Sequence, residues 1–453
     1  MGRQSRESEI ECLEREWCEM LQDVKPPEEY PFDKQCIYKV PPKIRETNPK
    51  AYTPRIVSIG PYHRKAREVG EEDNSLEEME ELKLTYLKGF LNRTQLPMRE
   101  LVLKIKELEE KIRNCYAAAI KCKSGDFLKM ILVDACFIIE LFLRWDEITG
   151  WVGKDPLIEE DWMRYDIKVD LLLLENQLPF FVLEELYNLM TGMTKHFLEI
   201  TFKFFESVSF GKVCPRESPE HFTDLLRSSV ISSSKLDLGR LEEFMDVKQV
   251  YSASQLMEAG LKFKISPNKS LLDLTYSKRD GALTMPILDI YDETEIVFRN
   301  IMAYEHCKFL CRKTISQYAT ILDFLINTEK DVNLLVDKKI IVNWTGDANK
   351  VVTMINNLCS HLILPGFNPH YFSLCNSLNA FYENPRNKRK AIFMHQYFNT
   401  PWKKASTISA IVILLFTFIQ TLCSIISVFR AMLNVQVNKK MDHFKEGFTT
   451  LIV

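Results

Sequence analysis

The apolar residues Leu101, Ile105, Leu108, Ile112, Cys115, Ala119 and Cys122 recur at alternating steps of four and three, flanked by Lys and Glu. That heptad spacing predicts a helix with a single apolar seam. A seam this short does not require a second chain, so it is expected to pack inside a helical bundle. Upstream, after the acidic residues 71–74, LEEMEELKLTYLKGFLNR places Leu76, Met79, Leu82 and Leu87 on one side of a neighbouring helix. Downstream, residues 127–145 read FLKMILVDACFIIELFLRW, apolar on nearly every face although Asp134 and Glu140 lie inside. A helix apolar all round belongs at the centre of a bundle. Residues 170–187, DLLLLENQLPFFVLEELY, are expected to form a second central helix that breaks at Pro179, with a new helix starting there because proline suits a first turn.

Other stretches break the helical period. Residues 36–64 carry prolines at 41, 42, 49, 54 and 61, which remove backbone donors and forbid a long helix, so this segment should run extended along another element. Residues 261–264, 271–276 and 282–291 are short and β-compatible, and Asp280-Gly281 supplies a turn between two of them. They predict a small β-hairpin insertion around 261–291. Helices resume after candidate caps Asp292 and Thr294, break at Thr328 and Asp331, and start again at Asp347.

Residues 405–429 contain no charged side chain, and at about 1.5 Å per residue they exceed the roughly 30 Å hydrocarbon core of a bilayer. Trp402, Lys403 and Lys404 on one side and Arg430 on the other form the aromatic and cationic bracket expected at the two membrane interfaces. The expected fold class is therefore mainly α: a helical bundle with a small β-hairpin insertion and one C-terminal transmembrane helix. The organisation reads as a leader over 1–35, a helical body over 36–400, the span over 405–429 and a short tail over 430–453.

Composition narrows the function classes. With 46% apolar and 27% charged residues among 453, the chain can bury a large core, as one large domain or two intimate ones. A formal charge of -3 gives no basic field, so no nucleic-acid partner is expected. Twelve cysteines spread from Cys12 to Cys423 behind a charged opening with no signal-peptide stretch predict reduced thiols in the cytoplasm. Gly2 follows Met1, but Arg6 stands where myristoylation needs Ser or Thr. Arg386, Lys388, Arg389, Lys390, Lys403 and Lys404 precede the span, against Arg430, Lys439, Lys440 and Lys445 after it, a small bias toward a tail-anchored topology with a cytoplasmic body. In that topology Asn92, Asn268 and Asn343, each in a glycosylation sequon, stay unmodified.

Candidate chemistry is sparse. Phosphate-binding glycine loops, the serine-hydrolase elbow and the helical zinc and di-iron signatures do not occur in the sequence. The best metal-like cluster is His306, Cys307 and Cys311, with Cys359 and His361 as distant candidate ligands, but buried free cysteine on a helix is commonplace. Cys307 and its neighbour His306 point about 100° apart on a helix and do not face each other. No cofactor, metal or catalytic residue is expected. Asp134, Glu140 and Glu175 admit two readings: an acid and base with separated pKa values, or charges that a core must pair. Asn176 and Gln177 beside the break at Pro179 could satisfy backbone groups freed there. Asp134, Glu140, Glu175, Asn176, Gln177 and Pro179 are therefore expected to form a buried polar joint.

In order along the chain, VPPKIRETNPKAYTPRIVSIGPYH, ILVDACFIIELFLR, DLLLLENQLPFF, AGLKFK with LLDLTY, NIMAYEHC and TPWKKASTISAIVILLFTFIQT resemble the recurrent blocks of the plant family of domain of unknown function 247. The resemblance runs from about residue 36 to 421 and implies a mainly helical plant protein ending in a membrane helix, with no reaction attached. The tail RAMLNVQVNKKMDHFKEGFTTLIV is longer than the family pattern leads one to expect. Together these readings predict a single-pass membrane-anchored protein with a protein partner, an interaction or signalling module rather than an enzyme. The alternative is an enzyme of unrecognised type using the buried carboxylates.

Overall fold

Helices take up most of the chain, and those of the first half follow the apolar periodicity. The computed structural model describes residues 10, 12–18, 20–21, 33–64, 74–234, 245–267, 270–310, 312–364, 366–398 and 401–449. It divides into one unit of residues 1–254 and 262–379 and another of residues 255–261 and 380–453. In the first unit, α1 (Pro42–Thr47) lies in the proline-rich segment, followed by α2 (Asn74–Thr94), α3 (Met98–Cys115) and α4 (Ser124–Asp146). Next come α5 (Asp161–Asp170), α6 (Phe180–Asn188), α7 (Phe197–Phe205) and α8 (Phe222–Ser232). Helix α4 is buried continuously from Met130 to Arg144, with α2, α3, α6 and α7 packed around it. Near its end Phe142 meets Phe204, Phe222 and Phe205 at ring-centroid distances of 4.3, 5.5 and 5.8 Å.

The short strands β1 (Lys262–Ile265), β2 (Thr275–Ser277), β3 (Ala282–Met285) and β4 (Leu288–Ile290) lead to α9 (Thr294–Lys308), α10 (Thr314–Leu325) and α11 (Glu329–Asp337). The unit continues through β5 (Ile341–Asn343), α12 (Ala348–Leu358) and most of α13 (Pro369–Glu383). Thr328 and Asp331 cap α11 as a reciprocal box, and the Asp347 side chain accepts from the Asn349 N–H at the start of α12. The expected hairpin exists as β2 and β3, joined across Asp280-Gly281. It is one part of two small sheets, however: β1 pairs parallel to β3, and β4, split from β3 by Pro286, pairs parallel to the distant β5.

Three expected helical features differ. The heptad seam ends at Cys115, because the chain leaves α3 there to pair with the proline-rich segment: the N–H groups of Cys36 and Ile37 both donate to the Cys115 carbonyl at 2.9 Å, and Ala117 N–H donates to the Ile37 carbonyl. Ala119 and Cys122 lie beyond the helix. The buried face of α2 runs through Met79, Lys83, Tyr86 and Phe90, a lysine among apolar groups, while Leu82 and Leu87 are half-buried and the Leu76 side chain lies outside the described residues. Finally, the second central helix expected from Asp170 does not form before Pro179: α5 ends at Asp170, residues 171–179 are turns and irregular chain, and Pro179 is the N-cap of α6 rather than its first residue.

The second unit contains α14 (Pro385–Phe398) and the 49-residue α15 (Pro401–Thr449). Residues 405–429 lie within α15, and the helix continues through the tail as far as Thr449. From Pro401 to Met441 this helix is exposed apart from a half-buried Thr407, and its most apolar window has a mean hydropathy of 2.4. By length and composition it can cross a membrane.

Candidate functional site

The proline-rich segment threads the first unit, and its location follows from what its backbone lacks. An irregular chain buried in a core leaves N–H and C=O groups without helix or sheet partners, and each must find one elsewhere. Side chains of the segment from Asp170 to Gln177 supply most of them. The Asp170 carboxylate accepts from the N–H groups of Arg55 (2.9 Å), Ile56 (2.7 Å) and Val57 (2.9 Å). Asn176 accepts from Ile59 N–H at 2.6 Å and donates its amide hydrogens to the Val57 and Asp170 carbonyls, both at 2.9 Å. Glu175 accepts from Val40 N–H at 2.6 Å. Gln177 donates to the Leu171 and Leu173 carbonyls at 2.6 and 2.8 Å and accepts from Phe222 N–H at the start of α8. The side-chain amides of 176 and 177 thus take carbonyls that a continuing helix would have paired with its own backbone, which is why the helix ends before the leucines.

From the other side, Asn300 of α9 accepts from Leu174 N–H at 2.9 Å and donates to the Ala51 carbonyl. Apolar packing follows the same geography: Val40, Ile44, Ala51 and Tyr52 of the segment form a core with Val169, Leu173, Ile296 and Tyr304. Gly60 is where the two chains come closest. Its φ of +69° and the Gln177 carbonyl, which would stand 2.8 Å from any Cβ placed there, both exclude a side chain.

The three acidic residues singled out from the sequence go to three separate places. Asp134, fully buried, accepts from Gly60 N–H at 2.9 Å and pairs with the equally buried Lys83 at 2.7 Å. Lys83 also donates to the Ser58 carbonyl and to Glu80. Glu140, on the same helix, faces Arg93 (2.9 Å) and Arg144 (2.8 Å), and Arg144 continues to Asp155, which accepts from the Tyr86 hydroxyl. Glu175 pairs with Arg45 at 2.6 Å and stands 3.6 Å from His63. These carboxylates are 0%, 1% and 7% exposed. No two of them converge on a common point, and neither the cleft of about 150 Å³ beside Tyr165, Asp289 and Tyr291 nor the one of about 320 Å³ beside Glu295 and Lys350 is lined by any of them.

Electrostatics in the joint are set by desolvation. Burial pushes the Asp170 carboxyl up to about 6 against the pull of its three N–H donors. Burial likewise depresses His63 to about 4 although Glu175 draws it the other way, and His221 to about 4. His221 caps α8: its Nδ1 accepts from Asp224 N–H, so its Nε2 carries the hydrogen donated to the Cys36 carbonyl at 3.0 Å, a neutral tautomer.

Sequence reasoning missed Lys83, Asp170 and Asn300. The signal for Lys83 was present, since it lies four residues after Met79 and three before Tyr86 on an apolar stripe. Asp170 heads a leucine run that hides its role, and nothing local marks Asn300. Of the metal-like cluster, Cys311 lies outside the described residues, as does Asn268; among the described residues no three His, Cys, Asp or Glu side chains converge to hold a metal. Trp402, Lys403, Lys404 and Arg430 are exposed on α15, Trp402 at 85%.

The chain matches the family profile described as plant protein of unknown function, domain of unknown function 247, over residues 37–416. It is 28% identical over 422 residues to UPF0481 protein At3g47200 of Arabidopsis thaliana, covering 86% of each chain. It is 22% identical over 499 residues to putative UPF0481 protein At3g02645 of the same plant, covering 87% of this chain and 90% of the relative. No solved structure matches it. The threaded segment from Ile37 onward, the joint that receives it and the first third of α15, up to residue 416, fall inside the matched residues, and the chain belongs to this plant family of domain of unknown function 247.

Proposed function

We propose that the protein is a single-pass membrane-anchored interaction module whose body works through its surface, with Asp134, Glu140, Glu175, Asn176, Gln177 and Pro179 serving as a structural joint. The observation that carries this reading is α15: an exposed helix with no charge from 405 to 429, bracketed by Trp402, Lys403, Lys404 and Arg430. An exposed apolar surface that long needs a cover, and a bilayer supplies one on every face. The joint residues support the non-catalytic half of the reading, because acid–base work needs a carboxylate within reach of substrate or water, and these spend their oxygens on backbone amides and cations inside the core.

The body is assigned to the cytoplasmic side, on the excess of cations preceding the span. Isolated plant membranes test both parts. Alkaline carbonate should leave the chain in the membrane pellet, and protease added to sealed vesicles should remove the body while a glycosidase leaves its mobility unchanged. Release by carbonate overturns the anchor; a protease-protected body, or one shifted by the glycosidase, overturns the cytoplasmic side.

A further inference from the structure

Where α3 ends, the proline-rich segment and the helix terminus run side by side, and each contributes a buried cysteine at the same level. Cys36 N–H and Ile37 N–H donate to the Cys115 carbonyl, Ile37 and Tyr116 form a parallel bridge, and the residue before each bridge partner is a cysteine. The Cys115 thiol donates to the Lys111 carbonyl at 3.3 Å, both cysteines are under 10% exposed, and both are free. Their backbone is held firmly: His221 donates to the Cys36 carbonyl, Lys308 donates to the Gln35 carbonyl at 2.7 Å, and Lys308 pairs with Glu220 at 3.0 Å. Cys136 and Cys375 are as deeply buried, but they sit inside α4 and α13, whereas Cys36 and Cys115 join two segments distant in sequence.

We propose that Cys36 and Cys115 are a redox-modification site: a dithiol that a small disulfide of the glutathione class converts to an intramolecular disulfide, stapling the entry of the proline-rich segment to the end of α3. The neighbouring Cys36 thiol draws the Cys115 thiol below its ordinary value, while Cys115 and burial push Cys36 above. Cys115 is therefore the first nucleophile. Its thiolate attacks one sulfur of the oxidant, forming a mixed disulfide and releasing one glutathione thiolate, which takes up the Cys115 proton. Cys36 then loses its proton and attacks the Cys115 sulfur, expelling the second glutathione as thiol. The balance is two protein thiols oxidised by two electrons and one oxidant disulfide reduced to two thiols. Closing a loop from 36 to 115 removes conformations from the unfolded chain, so the oxidised form unfolds at a higher temperature.

The purified full chain in detergent tests this independently of which side of a membrane the body faces. Samples equilibrated at increasing ratios of oxidised to reduced glutathione are alkylated under denaturing conditions, digested and mapped by mass spectrometry. The expected result is a peptide linked through Cys36 and Cys115 that grows with the ratio, disappears with dithiothreitol, and accompanies a rise of several degrees in the unfolding midpoint. Recovery of both cysteines as separate alkylated peptides across the series, or of a stable glutathione adduct on either, overturns the proposal. In Cys36→Ala the oxidant-dependent rise in midpoint is lost; a rise that persists there assigns the stabilisation to another pair and also overturns it. The peptide map of the parent chain decides the matter even where that variant fails to fold.

Discussion

Replacing Asn176 by Leu keeps the branched heavy-atom shape and removes every polar contact the side chain makes. Two buried backbone groups then lose their partner, the Ile59 N–H at 2.6 Å and the Val57 carbonyl at 2.9 Å, while the Asp170 carbonyl keeps the Leu173 N–H at 3.2 Å. A buried group left unsatisfied costs about 1–3 kcal/mol, so even the low end for two groups gives about 2 kcal/mol. Apolar burial of the new side chain offsets little of this, because Asn176 is already fully buried and its surroundings are backbone. With an unfolding entropy of about 2.1 cal/mol/K per residue over roughly 350 ordered residues, about 2 kcal/mol lowers the unfolding midpoint by about 3 °C. Thermal melts of parent and variant, followed by near-ultraviolet circular dichroism in the same detergent, measure it. A midpoint within about 1 °C of the parent would refute the argument that this amide ties the proline-rich segment to the core. A Leu variant that melts normally but loses a measurable activity would point to the enzyme reading instead.

Lys83→Met leaves the Asp134 carboxylate buried with Gly60 N–H as its remaining close donor, and stability should fall by about 3–5 kcal/mol in chemical denaturation. A loss below about 1 kcal/mol would mean that the pair is not ionised in the fold. His221, held neutral with its folded-state value near 4 against an ordinary 6.5, takes up its proton in the unfolded chain first. Its contribution is complete above pH 6.5 and is lost progressively as pH falls from 6.5 through 4, by about 3 kcal/mol in all. Asp170, raised from 3.8 to about 6, acts in the opposite direction, binding its proton in the fold first and adding stability as pH falls from about 6 toward 3.8. His221→Asn, which keeps an acceptor at the cap, should therefore reduce the loss of stability from pH 6.5 to 4 by about one proton's worth of slope; an unchanged slope would exclude His221 as its source.

The sequence made the helices legible where one residue type decided the matter. Apolar residues around the whole circumference placed the 127–145 stretch at the centre, and Thr328, Asp331 and Asp347 marked helix starts because their short side chains compete with the backbone for hydrogen bonds. What stayed hidden was non-local. The partner of β4 lies some fifty residues downstream, and β5 is too short to announce itself. Leu171–Leu174 looked helical because four leucines fit a helix and a turn equally well, and the deciding groups, the Asn176 and Gln177 amides, act only once they fold back on the carbonyls of 170, 171 and 173. Lys83 shows the same limit: its charge is tolerable in the core only because Asp134 is opposite, a fact that neither helix carries alone.

Prolines and buried amides are linked by one physical requirement. Apart from the single short α1 and one 3-10 turn, the prolines keep residues 36–64 out of regular structure, so donors such as those of Val40, Arg55, Ile56, Val57, Ile59 and Gly60 enter the first unit with no regular partner. Each is met by a side-chain oxygen of Glu175, Asp170, Asn176 or Asp134. Water could satisfy them equally well on the surface, so burial gains nothing from these hydrogen bonds beyond breaking even; the net gain comes from Val40, Ile44, Tyr52, Val57 and Ile59, which leave water when the segment inserts. The acidic and amide groups are thus the condition for an apolar gain elsewhere. It follows that truncating Ile59, fully buried between two of these hydrogen bonds, should weaken the same docking as Asn176→Leu, and because the two residues are in contact their combined effect should fall short of the sum.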